Sequence, residues 1–402
     1  MSSAPPTAAT TVPSGMICLR CDAAWPVETY AAGCPRCASE GHASNLKLTY
    51  VSEGRCIRLP AALALEEGAT PSVELPALAQ MMQLGRLTAK LEWCNPTGSH
   101  KDRMSARLIA RAMSCDAPLV VAASSGNGGL SIAAYAARAG LPAEIAVTAS
   151  LVPSYRRAMA AHGARLVEAP DSLARWEHLA RRVTEGAFAA SNYRLPAIGT
   201  DPFGIDGYKT LAAELAGPAQ PDLIMVPSSR GDLLSGLRLG FEEIGGVMPR
   251  LIAVEPFPRL ARVMAGEDYR SRFDGRTAQV SIAGETVTFQ ALAALRATGG
   301  LAVPVDDKAA RRAQAALAAC GLHAELSAAA ALAAVEEMAR DGCLAGRHVT
   351  LVLTGSGLRD PGAHDPATWP HTNERPHAAA PPAMSGFLPP RTETSVQQRD
   401  NG

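Results

Sequence analysis

Leu119-Val-Val-Ala-Ala-Ser124-Ser125-Gly126-Asn127-Gly128-Gly129-Leu130-Ser-Ile-Ala-Ala-Tyr-Ala-Ala137 carries no charge from end to end. An uncharged run of that length raises a membrane span as one reading. Its centre, Ser124 to Gly129, is polar and glycine-rich, so the run divides instead into a buried strand, a loop and a helix over 130–138. Outward from this point the same alternation continues. Glu144-Ile-Ala-Val-Thr148 predicts a strand followed by a helix over 155–162, and Arg165-Leu-Val-Glu168 a strand followed by a helix over 172–184. Further apolar runs stand at 223–226, 251–254 and 349–353, with helices predicted over 233–244 and 328–340. Near-continuous apolar strands separated by helices form parallel sheets covered on both faces. One set lies before residue 200 and one after it. The fold class is therefore α/β, with two doubly wound parallel-sheet domains and a ligand expected between them.

The expected division puts residues 86–199 in a smaller domain and 46–85 with 200–361 in a larger one. Residues 1–14 and 362–402 are rich in Pro, Ala, Ser and Thr without apolar periodicity, and are expected to be disordered. Of 402 residues, 38 are basic and 38 acidic, so the net charge of zero gives no electrostatic basis for nucleic acid or an anionic membrane as partner. No apolar leader with a basic start precedes Met16, and a cytoplasmic location is expected. Lysine occurs only at 47, 90, 101, 209 and 308, which narrows any search for a reactive amine.

Two Cys-x-x-Cys pairs, Cys18/Cys21 and Cys34/Cys37, stand twelve residues apart. Each pair has the spacing at which two thiolates reach one tetrahedral ion, and four thiolates close a structural zinc site. The segment 15–45 has too little core to fold without such a staple. A redox pair or a knuckle without metal are the other readings. Only Arg20 and Arg36 lie near the cysteines, so a structural or oligomer-contact role is preferred over nucleic-acid binding.

The segment richest in chemistry is Lys90-Leu-Glu-Trp-Cys-Asn95-Pro-Thr-Gly-Ser-His100-Lys101-Asp-Arg103. It resembles the N-P-T-G-S-x-K-D-R signature of fold-type II pyridoxal-phosphate enzymes, and most of all that of threonine synthases. Ser124-Ser125-Gly126-Asn127 resembles the family's S-G-N loop, and Glu67-Gly68-Ala69-Thr70-Pro71 its E-G-x-T-P element. Asp206-Gly-Tyr-Lys209-Thr210 is similar to E-G-x-K-T, and Thr354-Gly-Ser-Gly-Leu-Arg-Asp360 to T-G-x-G-L-K-D. A cysteine ribbon before Leu46-Lys-Leu-Thr-Tyr50 also occurs in many threonine synthases. The matches run in order from about residue 16 to 361.

The resemblance implies a tryptophan synthase β-like fold, a homodimer, and pyridoxal 5′-phosphate held as a Schiff base on Lys101. Lys209 is the other lysine in a matching element, but not the one that carries the cofactor. The resemblance further implies that Ser124, Ser125 and Gly126 bind the α-carboxylate of a small amino-acid substrate at a helix N-terminus. Asn127 would face the cofactor's ring hydroxyl; as a turn residue it would also suit a left-handed backbone. Thr354, with Ser356 as second choice, would face the ring nitrogen. A hydroxyl there is expected to leave that nitrogen unprotonated, which suits elimination and replacement at the β or γ carbon. The cofactor phosphate is expected at Ser228-Ser229-Arg230-Gly231-Asp232, where two hydroxyls and an arginine replace glycines of the family's loop. Arg230 would contact the phosphate; it could instead point outward, with Asp232 capping the next helix. His100 replaces the family's Phe and reads either as a general acid and leaving-group contact or as an aromatic packing residue. Gly128 stands where threonine synthases often have Thr.

Three functions follow from this reading. The first is threonine synthase chemistry: γ-elimination of phosphate from O-phosphohomoserine, then addition of water at the β carbon. The second is β-elimination or β-replacement on a serine-type substrate, by a serine/threonine deaminase or a synthase of cysteine, cysteate or a diamino acid. The third, a non-catalytic binding protein, sits poorly with Lys101, Asn127 and Thr354 all in place.

Overall fold

The computed structural model describes residues 12–50, 63–124, 126–340 and 342–359. Most of the predicted disordered termini, residues 1–11 and 362–402, and the loop residue Ser125 lie outside these. The apolar runs form two separate sheets. In the larger, the strands lie in the order Leu301–Pro304, Arg250–Glu255, Leu223–Pro227, His348–Leu353, Arg86–Leu91 and Ser72–Glu74. All pair in parallel except the edge strand Ser72–Glu74. The smaller sheet runs Arg165–Ala169, Ala143–Thr148, Val120–Ala123 and Phe188–Ala189, all parallel. Helices lie between these strands along the chain, as the uniformly apolar strands require.

Two expected boundaries are corrected. Arg86–Leu91, assigned to the smaller domain, pairs with His348–Leu353 from His348↔Arg86 to Leu353↔Leu91 and so belongs to the larger sheet. Leu46–Thr49, assigned to the larger domain, pairs with Gly15–Cys18 and completes the small three-stranded sheet of the cysteine segment. In both cases a neighbour remote in sequence decides membership, and period-2 patterning carries no record of that neighbour.

Each sheet reverses direction at one point. From Leu223–Pro227 the chain proceeds to Arg250–Glu255 and Leu301–Pro304 on one side, while His348–Leu353 inserts on the other. The crevice at the carboxyl ends of strands beside such a reversal is where open α/β sheets bind ligands. Pro227 leads there into Ser228, and Leu353 into Thr354. The next strand, Arg86–Leu91, leads into the lysine segment. Ser99 bridges Gly355, and the His100 amide donates to the Thr354 carbonyl at 3.2 Å, so the lysine segment is stitched to the last strand.

A buried charged network sits beneath this junction. Arg103, 2% exposed, donates to both oxygens of Glu92 at 2.8 Å and to both of Glu214 at 2.6 and 2.9 Å. Lys90 pairs with Glu214 at 2.7 Å. Next to it, Asp102 accepts from the Thr97 amide and hydroxyl and, at 2.6 Å, from Ser131 of the helix Asn127–Ala139. Asp102 thus clasps the Asn95–Gly98 turn to the helix that follows the Ser124 loop.

Candidate active site

Lys101 is the first residue of the helix Lys101–Ser114. Its Nζ donates to Tyr208 Oη at 3.3 Å, and the ammonium position lies 5.8 Å from the Tyr208 ring centre. The other lysines are committed or remote. Lys90 is paired with Glu214, Lys209 with Asp206 and Glu243, and Lys47 lies 3.9 Å from Glu242, while Lys308 is exposed. Among the described residues Lys101 has no carboxylate in ion-pair contact. Burial holds its amine below the ordinary lysine range; Arg230 pushes the same way, and Asp232 and Glu325 oppose. For Lys209, burial is outweighed by the Asp206 and Glu243 carboxylates, which carry its pKa up. Burial disfavours the charged form of the Lys101 amine, and the uncharged form is the one that acts as nucleophile or base.

His100 packs its ring against Tyr208, centroids 5.7 Å apart at 26°. Burial, then the neighbouring Lys101, holds its pKa well below the usual histidine value. Its Nδ1 lies 3.2 Å from the Thr354 carbonyl, which can only accept, so the ring is neutral with the proton on Nδ1. That arrangement supports the aromatic-packing reading of His100 over the general acid. Tyr208 is fully buried, and burial, then Asp232, raises its phenol well above the ordinary value. It therefore stays a neutral hydroxyl beside the lysine.

Across the junction, Gly126 is the N-cap of the helix Asn127–Ala139, with no side chain capping the free amides of the first turn. Ser124 precedes it at the end of the strand Val120–Ala123. Asn127 is 7% exposed, and Tyr155 Oη donates to its Oδ1 at 2.6 Å while its Nδ2 donates to Glu325 Oε2 at 3.0 Å. The amide orientation is thereby fixed, with one Nδ2 hydrogen left over among the described residues. Thr354 Oγ1 donates to Glu325 Oε1 at 3.2 Å.

The Ser228–Asp232 loop joins Leu223–Pro227 to the helix Asp232–Ile244. Ser228 turns its hydroxyl back to the Val226 carbonyl at 2.8 Å, and its own carbonyl accepts from Arg259 at 2.9 Å. Gly231, at φ +85°, is the N-cap; a Cβ there would lie 2.3 Å from that of Ala291. The alternative in which Asp232 caps the helix is corrected: Asp232 Oδ1 accepts instead from the Thr200 amide at 3.3 Å and Gln290 Nε2 at 2.6 Å. Arg230 stacks its guanidinium 5.4 Å above the Trp176 ring and forms no ion pair among the described residues. Burial lowers its pKa, with Asp232 opposing, and Arg230 in turn adds to the lowering of Arg175 and Arg259, which burial leads in both. Arg259 is neutralised by Glu255 at 3.4 Å. Arg230 is half-buried, and a partly desolvated guanidinium without a carboxylate is well suited to an anion.

The family described as "Pyridoxal-phosphate dependent enzyme" matches residues 63–355, most of the chain. The chain belongs to this family. It is 30% identical over 310 residues to a threonine synthase of Synechocystis sp., covering 74% of this chain and 79% of that protein. A threonine synthase of Methanocaldococcus jannaschii is 28% identical over 319 residues, covering 75% and 77%. Among solved structures, maize serine racemase superposes with a TM-score of 0.64 at 22% identity, over 72% of this chain and 88% of that one. A cysteine synthase of Entamoeba histolytica gives 0.62 at 20% identity, over 75% and 89%. These two likenesses bear on the fold.

The pyridoxal-phosphate dependent lyase meets the demands of its cofactor in the residues present. An amine without a carboxylate in ion-pair contact (Lys101) and a cation without one (Arg230), both among the described residues, follow strands of the larger sheet, and the Asn127 amide, which follows Val120–Ala123 of the smaller sheet, is joined to the last strand of the larger sheet through Glu325 and Thr354. Glu325, Tyr208, Tyr155 and Gln290 are the site residues that sequence reasoning missed. Tyr208 stood inside a quoted element without a role. Glu325 had one visible signal, a lone carboxylate directly before the Ala-rich run 326–335, every residue of which is buried.

Away from this site, the four cysteine sulfurs lie within 4.8 Å of one another, with Cys18 to Cys37 and Cys21 to Cys34 each at 3.7 Å. A tetrahedron with zinc–sulfur bonds of about 2.3 Å has edges of about 3.8 Å, whereas a disulfide would bring two sulfurs to about 2 Å. Burial raises the Cys18 thiol, but the amides of Cys21 and Arg20 and the Ser44 hydroxyl overcome it and bring it to about 7. The small core here contains Met16, Leu46, Leu48 and Phe203 besides three of the cysteines themselves. Asn45 ties the segment to the main body, donating to the Thr200 carbonyl at 2.8 Å and Gln290 Oε1 at 3.0 Å.

Proposed function

We propose that this lyase has threonine synthase activity, releasing phosphate from the γ carbon of O-phosphohomoserine and adding water at the β carbon. The observation that carries it is the likeness to threonine synthases, 30% and 28% identical over about three quarters of this chain, with Lys101 beside the Tyr208 hydroxyl and without an ion pair among the described residues. Pyridoxal phosphate supplies an electron sink for charge developing on the substrate. Lys101 would hold the cofactor, and its amine, which donates to the Tyr208 hydroxyl, would move the proton of the α carbon. Ser124, Ser125 and Gly126, with the first amides of the helix, hold the α-carboxylate. Asn127 would offer its remaining N–H to the ring oxygen, and Thr354 would stand toward the ring nitrogen. Ser229, Arg230 and the amides of Gly231 and Asp232 hold the cofactor phosphate; the Ser228 and Asp232 side chains hold the loop itself. The neutral His100 ring and Tyr208 exclude water beside Lys101.

O-phosphohomoserine, phosphoserine, acetylserine, serine and threonine, supplied separately, decide the substrate. Phosphate and threonine are expected from the first. Acetate from acetylserine, or ammonia and a keto acid from serine, without turnover of O-phosphohomoserine would assign the enzyme to β-chemistry instead.

Arg230→Ala is expected to weaken cofactor binding roughly 10- to 150-fold, since a hydrogen bond to a charged group contributes about 1.5–3 kcal/mol. Cofactor loss on dialysis, followed by its absorbance, checks this. Normal retention with an altered KM would assign Arg230 to the substrate.

We further propose that Cys18, Cys21, Cys34 and Cys37 hold one structural zinc. Metal analysis is expected to find about one zinc per chain. Chelation should release it and melt the small three-stranded sheet, leaving the α/β body folded on its own apolar cores. Four freely titratable thiols in the native, metal-free protein would count against the site.

A further inference from the structure

Asn45 stands immediately before the strand Leu46–Thr49 and is 2% exposed. Its backbone serves the cysteine segment. The Leu19 amide, between Cys18 and Cys21, donates to the Asn45 carbonyl at 3.1 Å, and the Cys34 amide donates to the Ser44 carbonyl at 2.9 Å. Ser44 Oγ also lies 3.5 Å from Cys18 Sγ, so Ser44 touches one cysteine of each pair. The Asn45 side chain reaches into the larger domain. Its Oδ1 accepts from the Leu46 amide at 2.9 Å, and its Nδ2 donates to the Thr200 carbonyl at 2.8 Å and to Gln290 Oε1 at 3.0 Å. Gln290 Nε2 passes on to Asp232 Oδ1 at 2.6 Å, and the Thr200 amide reaches the same oxygen at 3.3 Å. Four residues remote in sequence thus close a ring. Carbonyls and carboxylates only accept, so neither amide can turn over without breaking it. The ring ends on the loop assigned to the cofactor phosphate. Asp232 is the last residue of that loop. Thr288, which caps the helix Phe289–Ala297 carrying Gln290, donates to the Arg230 carbonyl at 2.5 Å, and Gly231 packs against Ala291 of the same helix.

We propose that Asn45 is a positioning residue that couples the cysteine site to the cofactor-phosphate loop, so that metal on the four thiolates tightens the hold on pyridoxal phosphate. The inference rests on the zinc and phosphate-loop assignments proposed above. With the thiolates held together, Ser44 and Asn45 are fixed, and the ring keeps the Gly231 and Asp232 amides in place. Without metal the segment has too little core to hold Asn45 in position. The buried Thr200 carbonyl and Gln290 Oε1 then lose their donor. An unsatisfied buried acceptor is costly, so the ring and the loop it braces rearrange to find other partners. Coupling between two binding sites is reciprocal, so bound cofactor must tighten the metal by the same factor.

The test is a cycle on the whole chain, with cofactor affinity read from the absorbance of the bound form and zinc affinity from competition with a chelator of known strength. In wild type, chelation is expected to weaken cofactor binding about 5-fold or more, and saturating cofactor to tighten zinc by the same factor. Asn45→Ala removes the two donations and keeps the carbonyl contacts. Tyr269, donating to the Ala43 carbonyl at 3.0 Å, and Arg270, donating to that of Gly41 at 2.9 Å, keep the segment docked. The variant should retain zinc, bind cofactor weakly with zinc present, and lose little more on chelation. Normal cofactor affinity in zinc-loaded Asn45→Ala overturns the inference. So does an equal effect of chelation in variant and wild type, because the coupling would then take another path. The readings beneath it fail differently. A protein without zinc fails on metal analysis, and a loop that does not hold the phosphate gives normal cofactor retention in both Arg230→Ala and Asn45→Ala. Retention lost in Arg230→Ala alone faults only the coupling.

Discussion

Lys101→Ala is expected to abolish turnover and the yellow colour of the bound cofactor, and to leave the fold intact. The loss should be roughly 10³-fold or more, because in the proposed function the same amine both carries the cofactor and moves a proton. Stability should hold because the side chain makes no ion pair and its hydrogen-bond partner, Tyr208, can still donate to Met104 Sδ at 3.6 Å. Alanine is also the best helix former, and the position is the first of a helix. Activity, visible absorbance and borohydride trapping on wild type and variant check the prediction. Wild-type colour in Lys101→Ala would mean that another amine carries the cofactor. The geometry argues against Lys209, whose charge is fixed by Asp206 and Glu243.

Two residues further on, the expected effect is the opposite in kind. Arg103→Ala should cost about 3–5 kcal/mol of stability, since removing one partner of a buried pair leaves an uncompensated charge. Glu92, fully buried, would lose its guanidinium, while Glu214 would keep Lys90. The double variant Arg103→Met, Glu92→Met should recover much of that loss, because no bare charge is left inside. Urea unfolding of the three proteins measures this, and a single-variant loss under about 1 kcal/mol would disprove it. The acid limb carries a second signature. Burial raises Glu214, but Arg103 and Lys90 outweigh it and hold the group at about 2 against an ordinary 4.5. A depressed carboxylate contributes stability in full above its unfolded value, and that contribution fades as pH falls from 4.5 toward 2. Without Arg103 the folded value rises, so less of this contribution remains to be lost in acid.

Local signals were legible in the sequence and long-range ones were not. The helix Ser172–Thr184 follows the bounds its apolar spacing predicts, with Asp171 accepting from the amides of Leu173 and Ala174 as its cap. The strands Val120–Ala123 and Ala143–Thr148 begin within a residue of expectation, because a run buried on both faces is apolar throughout. Leu301–Pro304 went unread: it is four residues long and half-exposed, and leaves little pattern. The cysteines were readable because their chemistry is set by spacing along the chain. Glu325 was not, because its meaning lies in contacts with Asn127 and Thr354, 198 and 29 residues away. Tyr208 was hidden for the same reason, being 107 residues from Lys101.

The clasp formed by Asp102 has a bearing on how this segment can change over time. Thr97, Asp102, Arg103 and Ser131 hold the architecture together, while Lys101 among them makes no ion pair among the described residues and, in the proposed function, serves the chemistry. Selection against unfolding would therefore preserve nearly the whole Asn95–Arg103 stretch in a descendant that had abandoned catalysis. In such a lineage the lysine would drift first, and the residues around it would remain as an imprint of a lost activity. Within this segment, the trace of a working enzyme is one amine set among groups that would persist without it.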